Sequence, residues 1–206
     1  MIIDLNIIED LIPRGRKNRP GRINPMRFIT IHETDNTRIG AGAKNHANYL
    51  KTNVTIVQEG TLKSWHYTVD DKETYRHIPE EEDAFHAGPK GGAGNRESIG
   101  IEICVNADGM LLLAIDRAAI LTADICMRRG IPFENIRQHF DWSRKNCPRN
   151  IRAGLPVSWL QFIQKVRECV DLVNGITLPG TTRPARLCAP LPSTRRFVDE
   201  MRHKPL

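Results

Sequence analysis

A histidine and a cysteine stand eight positions apart near residue 140, and both have side chains that bind metal ions. His139 precedes Cys147, and Lys145 lies two positions before the cysteine. Imidazole nitrogen and thiolate sulfur are ligands that Zn²⁺ prefers. A third candidate ligand, His32, follows the apolar residues 28–31. Three protein ligands leave one coordination position open, so this set predicts a catalytic site for one zinc ion, whereas four would predict a structural site.

Short runs of β-branched and apolar residues are expected to position these side chains. Residues 26–32 and 136–139 predict buried strands that deliver the two histidines. Residues 98–105 are the clearest strand, because isoleucines alternate there with other residues. Two short strands, residues 65–70 and 74–78, are joined by a turn.

Three helices are predicted from apolar residues at helical spacing. The first has Ala43, Ala47 and Leu50 on one face. The second is predicted to start at Asp116 as its cap and to end before Gly130. The third covers residues 159–173, with the following residues predicted as its buried stripe: Leu160, Ile163, Val166 and Val170. Strands and helices mix without strict alternation, which predicts an α/β fold with a central mixed β-sheet flanked by helices.

Two other segments lack periodicity. Residues 1–27 are basic and contain several prolines, which predicts an irregular arm that is either solvated or in contact with substrate. Residues 86–96 are rich in glycine and predict a long loop at the rim of a cleft.

Length and charge suggest one domain with an appendage. The 206 residues fit a domain over residues 1–175 and a basic, Pro-containing linker or tail over residues 176–206. The net charge is +6, and the tail alone has six Lys and Arg against two Asp and Glu, or +4. Most of the basic excess therefore lies outside the main domain, which disfavours nucleic acid as its partner.

Several function classes are excluded by composition. No apolar run reaches the length of a membrane span, and the N-terminus lacks the basic and apolar regions of a secretory signal. Five scattered cysteines argue against a disulfide framework and for synthesis in a reducing compartment. Four of them are expected to be buried, structural residues: Cys104, Cys126, Cys169 and Cys188. Nothing in the composition indicates an oligomeric state.

A collinear set of motifs over roughly residues 1–160 resembles the type-2 family of N-acetylmuramoyl-L-alanine amidases. This family includes phage endolysins and bacterial autolysins, and it is related to the peptidoglycan recognition proteins. The motifs are Asn-Arg-Pro-Gly at 18–21, Ile-His-Glu-Thr at 31–34, Trp-His-Tyr-Thr-Val-Asp-Asp at 65–71, Phe-His-Ala-Gly at 85–88, Asn-Arg-Glu-Ser-Ile-Gly-Ile-Glu at 95–102 and residues 138–148. Such an ordered set is far more specific than a single histidine or cysteine.

The resemblance implies a role for each position of the site. It makes His32, His139 and Cys147 the zinc ligands, with the zinc cleft at one edge of the sheet. It makes Glu102 the general acid and base, although a glutamate in a strand can also simply face solvent. Lys145 would stabilise the oxyanion, the alternative being an ordinary surface lysine.

Candidate substrate contacts follow from the same motifs. Several relatives have a catalytic tyrosine where this chain has Trp65, whose indole donates but does not accept a hydrogen bond. The candidate substrate-binding residues are Trp65, His66, His86, Asn95 and Arg96. For His66 and His86 a structural role is an equal alternative. Asp141 is expected either to orient a ligand histidine or to cap the next turn.

The resemblance implies zinc-dependent hydrolysis of the amide between N-acetylmuramic acid and L-alanine in peptidoglycan. The residues by themselves predict only metal-assisted amide hydrolysis in an open cleft. The alternative function is a non-catalytic peptidoglycan-binding protein on the same fold. Without a signal sequence, the protein would be made in the cytoplasm and would reach the wall after release or lysis, as an endolysin or autolysin does.

Overall fold

A six-stranded mixed sheet forms the centre of the part of the chain that the computed structural model describes, namely residues 5–52, 62–88 and 91–175. Its strands are β1 (Ile7–Glu9), β2 (Phe28–Glu33), β3 (Tyr67–Val69), β4 (Thr74–Arg76), β5 (Ser98–Ile103) and β6 (Ile136–Gln138). They lie in the order β1-β4-β3-β5-β2-β6, and every neighbouring pair is parallel except β3 with β4. The predicted mixed sheet is confirmed.

The register between β2 and β5 decides which side chains share a face. Ile31 pairs with Ile101, and the next pair along is His32 with Glu102. Because strand side chains alternate between faces, the isoleucines point into the core while His32 and Glu102 point to the opposite face. Both isoleucines are completely buried, which confirms the alternation predicted for residues 98–105.

Helices cover both faces of the sheet. They are α1 (Ala43–Thr52), α2 (Ala93–Arg96), α3 (Leu111–Arg129), α4 (His139–Ser143), α5 (Arg149–Ala153) and α6 (Trp159–Val173), and a 3₁₀ turn covers Phe133–Asn135. The long helices α3 and α6 pack on each other and bury the isoleucine face in the main core. On the other face, α1 packs against β3 and β4 through its predicted apolar side.

Two predictions about the helices are wrong. Helix α3 begins at Leu111 rather than after Asp116, which lies inside the helix and forms an ion pair with Lys165 at 2.8 Å. The stripe predicted for α6 is wrong at Leu160, which is 78% exposed, whereas Val166 is fully buried and Ile163 and Val170 pack against the main core. The face that is buried runs along Phe162, Val166 and Cys169, again at i, i+4 and i+7.

The described parts of the two segments without periodicity contain regular structure. The N-terminal arm supplies β1, which pairs with β4, and the guanidinium of Arg19 is buried against the Glu82 carboxylate at 2.7 Å. The glycine-rich segment contains the short helix α2. A side chain at Gly94 would collide with Trp142 of α4, so this glycine allows close packing of α2 on α4.

Four cysteines lie in the described part of the chain, and all are buried: Cys104, Cys126, Cys147 and Cys169. Cys188 and the predicted tail, residues 176–206, lie outside the described residues. Among the helices that the structure describes, none is both long and apolar enough to cross a membrane.

The corrected face of α6 can be tested by comparing two of its apolar residues. Phe162→Ala should lower the free energy of unfolding by about 3–5 kcal/mol, because it empties a fully buried site. The matched variant Leu160→Ala should change it by no more than about 0.5 kcal/mol, since that side chain is already in solvent. Urea denaturation measures both values, and equal losses would contradict the orientation of the helix.

Candidate metal centre and active site

Three potential metal ligands converge at the carboxyl ends of neighbouring parallel strands. His32 lies near the end of β2, and His139 is the first residue of α4, directly after β6 rather than in the strand as predicted. Because β2 pairs with β6, these two residues are brought side by side. Cys147 follows α4 and returns to the same point, and one ligand atom from each residue lies within 4.8 Å of the others.

The spacing of these atoms fits a tetrahedral ion. The Nδ1 atoms of His32 and His139 are 3.0 Å apart, and the Cys147 Sγ is 3.8 Å from His32 Nδ1. Zinc bond lengths of about 2.0–2.1 Å to nitrogen and 2.3 Å to sulfur require separations of about 3.3 and 3.6 Å at tetrahedral angles. Each observed distance is within a few tenths of an ångström of that requirement. All three residues are buried.

The protonation states of the histidines suit a cation. Burial, together with the charge of Lys145, lowers the pKa of His139 to about 4. Burial also holds the pKa of His32 well below its usual range, with further lowering by His86 and His139. Both imidazoles are therefore neutral at physiological pH and have a free nitrogen lone pair for a metal.

The Cys147 thiol is protonated without a metal and would ionise next to a bound cation. Burial and the nearby Glu102 raise the pKa of the Cys147 thiol to about 12. Thiolate is the form that binds zinc, and a bound cation ionises such a thiol. The backbone N–H of Glu33 points at the Sγ at 3.5 Å, which favours the ionised sulfur. The residues present thus fit a zinc ion.

Glu33 fixes the segment after Cys147, a role that the sequence analysis missed. Its buried carboxylate accepts hydrogen bonds from the backbone N–H groups of Asn150 and Ile151, at 2.8 and 3.1 Å. These bonds satisfy the first turn of α5 and tie it to the end of β2. The sequence feature that could have indicated this role is a glutamate directly after His32, which ends a predicted buried strand.

Glu102 lies beside the ligands, on the same face of the sheet. Its Oε1 is 3.9 Å from His32 Nδ1, and its Oε2 is buried without a hydrogen-bond partner among the described residues. Burial raises the pKa of this carboxyl to about 7, although the charges of Lys145 and Lys63 act to lower it. A carboxyl of this kind can accept and release a proton near neutral pH.

A cleft of about 320 Å³ opens beside the candidate metal ligands, of which His139 lines it. Lys145 is exposed and lines this cleft together with Glu102. The other lining residues are Glu33, Thr34, Asn36, Asn45, His46, Tyr49, Lys63, Trp65, Phe85, His86 and His139. Lys145 and Glu102 thus share one open space with His139.

Two of the five candidate substrate contacts line the cleft. Trp65 is held in place because its indole N–H donates to the Thr68 hydroxyl at 2.6 Å. His86 also lines the cleft, and its Nδ1 is 2.9 Å from the Nε2 of His32. The indole of Trp65 therefore forms a wall, whereas the ring of His86 is engaged with a metal ligand.

The other three candidates do not line the cleft. His66 is completely buried, donates from Nε2 to the Glu82 carbonyl at 2.8 Å and accepts at Nδ1 from the Gly100 N–H at 2.9 Å. Asn95 is buried and holds the backbone of the glycine-rich segment. Arg96 lies outside the cleft and pairs with Asp83 at 3.6 Å. None of these three lines the cleft, so contact between them and substrate stays a prediction, beside the structural contacts described here.

The alternative left open for Asp141 is also decided. Its carboxylate accepts from the backbone N–H of Gln138 at 2.8 Å, as part of a capping box at the start of α4. Asp141 therefore caps the helix that begins with His139.

Solved structures share this fold over most of the described chain. The catalytic domain of XlyA superimposes with a TM-score of 0.71 at 43% sequence identity, covering 78% of this chain and 99% of that domain. PlyL superimposes with a TM-score of 0.67 at 34% identity, covering 81% of this chain and 97% of PlyL. The fold and the predicted resemblance are thereby confirmed.

Curated relatives and a family model agree with the structural comparison. The chain is 46% identical to the N-acetylmuramoyl-L-alanine amidase XlyA of Bacillus subtilis, over 71% of this chain and 48% of XlyA. It is 38% identical to CwlH of the same organism, also named an N-acetylmuramoyl-L-alanine amidase, over 92% of this chain and 68% of CwlH. The chain thus spans about half the length of XlyA. A family model described as N-acetylmuramoyl-L-alanine amidase matches residues 22–150, and the chain belongs to this family.

The role assigned to Glu33 predicts a loss of stability on its removal. Glu33→Ala should lower the free energy of unfolding by about 1–3 kcal/mol, because it leaves backbone N–H groups of α5 without an acceptor. The exposed Glu134→Ala serves as a control and should change stability by no more than about 0.5 kcal/mol. Denaturation of metal-free protein measures both, and equal effects would contradict the structural role of Glu33.

Proposed function

We propose that this chain is a zinc-dependent N-acetylmuramoyl-L-alanine amidase that cleaves the amide between the lactyl group of N-acetylmuramic acid and L-alanine. The observation that supports this most directly is the convergence of His32, His139 and Cys147 at tetrahedral spacing, next to a buried carboxyl in an open cleft. The names of the curated relatives support the same bond and the same substrate, peptidoglycan.

In this proposal His32, His139 and Cys147 hold the zinc ion. Zinc supplies two things when bound: it lowers the pKa of a water molecule to about 7 and polarises the scissile carbonyl. Of the three, His139 lines the cleft, so the substrate and the water would reach the ion from that side.

Glu102 carries the proton during the reaction. With a pKa of about 7 it is partly ionised at neutral pH, and it takes a proton from the attacking water. The protonated carboxyl then donates to the nitrogen of L-alanine as the C–N bond breaks. One group thus acts first as base and then as acid. Trp65 cannot share this work, because its only polar hydrogen is already donated to Thr68.

Lys145 stabilises the negative charge that develops on the carbonyl oxygen. Its ammonium group lines the same cleft as Glu102, and its charge already acts on the pKa of both Glu102 and His139. A cation at the developing oxyanion is worth several kcal/mol when water is partly excluded, typically about 2.7–4 kcal/mol for a single donor.

The proposal places the protein's action at the bacterial cell wall, after release or lysis. A similar solved structure, with 43% identity and a TM-score of 0.71, is described as a mutant endolysin from Bacillus subtilis. The division into a catalytic domain over residues 1–175 and a basic tail over residues 176–206 remains part of the proposal, as does the absence of a nucleic-acid partner.

Removing a ligand should abolish both metal and activity. We expect Cys147→Ser to lose bound zinc and the release of amino termini from purified peptidoglycan. Cys126→Ser, a matched change at another buried cysteine, should retain both. Metal analysis and wall digestion of the two variants and the wild type test this. Wild-type protein that carries zinc and binds wall without cleaving it would favour the non-catalytic alternative.

Removing the proton carrier should separate metal binding from turnover. Glu102→Gln should keep the zinc, because Glu102 is not a ligand, while kcat falls by about 10²–10⁴-fold. Zinc content and kcat are measured on the same preparation. If turnover survives with full metal occupancy, the assignment of Glu102 is wrong.

The pH dependence should report the surroundings of Glu102. kcat/KM should fall as pH drops below about 7, because the carboxyl gains its proton and ceases to act as a base. Lys145 and Lys63 lower this pKa, whereas Glu33 and Asp35 raise it. Lys63→Gln should therefore move the acid limb to higher pH, by roughly 0.2–0.7 unit for an exposed charge.

A matched change on the turn between β3 and β4, Lys72→Gln, should leave the acid limb of the profile in place. A limb that does not respond to Lys63→Gln would show that another group titrates there.

A further inference from the structure

The imidazole of His86 contacts a predicted metal ligand rather than the open cleft alone. His32 directs its Nδ1 towards His139 and Cys147, and its Nε2 lies 2.9 Å from the Nδ1 of His86. An imidazole that binds a metal through one nitrogen carries its proton on the other. The Nε2–H of His32 therefore donates to His86, which must accept at Nδ1.

The position of His86 is fixed from its backbone. The Asn95 side-chain oxygen accepts hydrogen bonds from the backbone N–H groups of His86 and Ala87, each at 2.7 Å. Asn95 also donates to the Gly88 carbonyl at 3.2 Å. These bonds hold the start of the glycine-rich segment above β5, at the point where the ring of His86 reaches His32.

Strand β5 leaves space for that ring. A Cβ added to Gly100 would lie 2.8 Å from ring atoms of His86, which is closer than real contacts allow. Gly100 has no positive φ, so its backbone does not require glycine. A glycine inside a strand often marks a close approach by another group, and here that group is the His86 ring. The backbone N–H of Gly100 also anchors His66, whose ring meets His86 edge to face at 5.8 Å.

We propose that His86 is a positioning residue, which fixes the tautomer and the ring orientation of His32 for metal binding, and that Gly100 is a glycine because it accommodates the His86 ring. Partners of this kind are what orient ligating histidines in metal sites. A neutral imidazole in this place orients the ligand without bringing a further negative charge to the ion. This inference rests on the proposed zinc function and replaces the expectation that His86 contacts substrate.

The test measures zinc affinity by competition with a chromophoric chelator. His86→Leu, which cannot accept the hydrogen bond, should bind zinc about 10–100-fold more weakly than the wild type. His86→Gln offers a side-chain oxygen as acceptor and should recover most of the affinity. His77→Leu, a matched change at a buried histidine that bonds Thr68, should bind zinc as the wild type does.

Gly100→Ala provides a second, independent variant. It should weaken zinc binding in the same direction, because the added Cβ displaces the ring of His86. Gly91→Ala, where the added Cβ meets nothing within 4 Å, should not. The absorption spectrum of the Co²⁺-substituted protein should change with His86→Leu and Gly100→Ala and stay unchanged in both controls.

The outcomes are distinct. Unchanged zinc affinity in both His86→Leu and Gly100→Ala would overturn the proposal, and a raised KM with normal zinc binding would restore His86 as a substrate contact. If His86→Leu does not fold, Gly100→Ala and His86→Gln decide. Wild-type protein without zinc affinity would instead contradict the proposed function itself.

Discussion

The register of two adjacent parallel strands, β2 and β5, is the constraint on which the site depends. It sets His32 opposite Glu102 and turns both away from the isoleucine core. A slip of one residue would send both groups into the core and bring isoleucines into the cleft, so burial of the isoleucines enforces the arrangement of the site. Packing of α3 and α6 on the far face is thus linked to the chemistry, although neither helix contributes a residue that lines the cleft.

Burial is the main factor that sets the protonation states of the residues in the candidate metal site. It keeps His32 and His139 neutral and raises the pKa values of Cys147 and Glu102, so the ligand set carries little charge of its own. Burying these residues costs free energy when no metal is bound, because polar atoms such as Glu102 Oε2 lack hydrogen-bond partners within the described chain. A bound divalent cation would offset this free-energy cost, since it favours the ionised thiol and accepts the histidine lone pairs.

The sequence was sufficient for the parts of the structure that repeat a physical pattern. Alternating isoleucines located β5, the spacing of Ala43, Ala47 and Leu50 located α1, and Gly130 ended α3 with a φ of +66° as a left-handed cap. The three candidate metal ligands were predicted from their residue types and from the resemblance, and the structure brings them together. Their convergence required the pairing of β2 with β6, which no local pattern contains.

The errors came from residues whose environment is set by distant parts of the chain. Leu160 fits a helical stripe as well as Phe162 does, and only the position of α3 decides which face is buried. His66, Asn95 and Arg96 belong to motifs next to the site, but the contacts they make are backbone hydrogen bonds and an ion pair with Asp83, and none of them lines the cleft. Sequence proximity to a site identified the right segments and left the role of each side chain undetermined.

Trp65 stands where the resemblance implies a catalytic tyrosine in several relatives, and this limits which groups of the cleft can transfer a proton. The indole nitrogen has a single hydrogen, and the Thr68 hydroxyl takes it at 2.6 Å, while the same hydroxyl meets His77 at 2.8 Å. Trp65 is therefore locked into a buried network and presents only its ring to the cleft. In the proposed reaction the proton transfer therefore falls to Glu102 rather than to Trp65, and the unpartnered oxygen and pKa of about 7 of Glu102 suit that task.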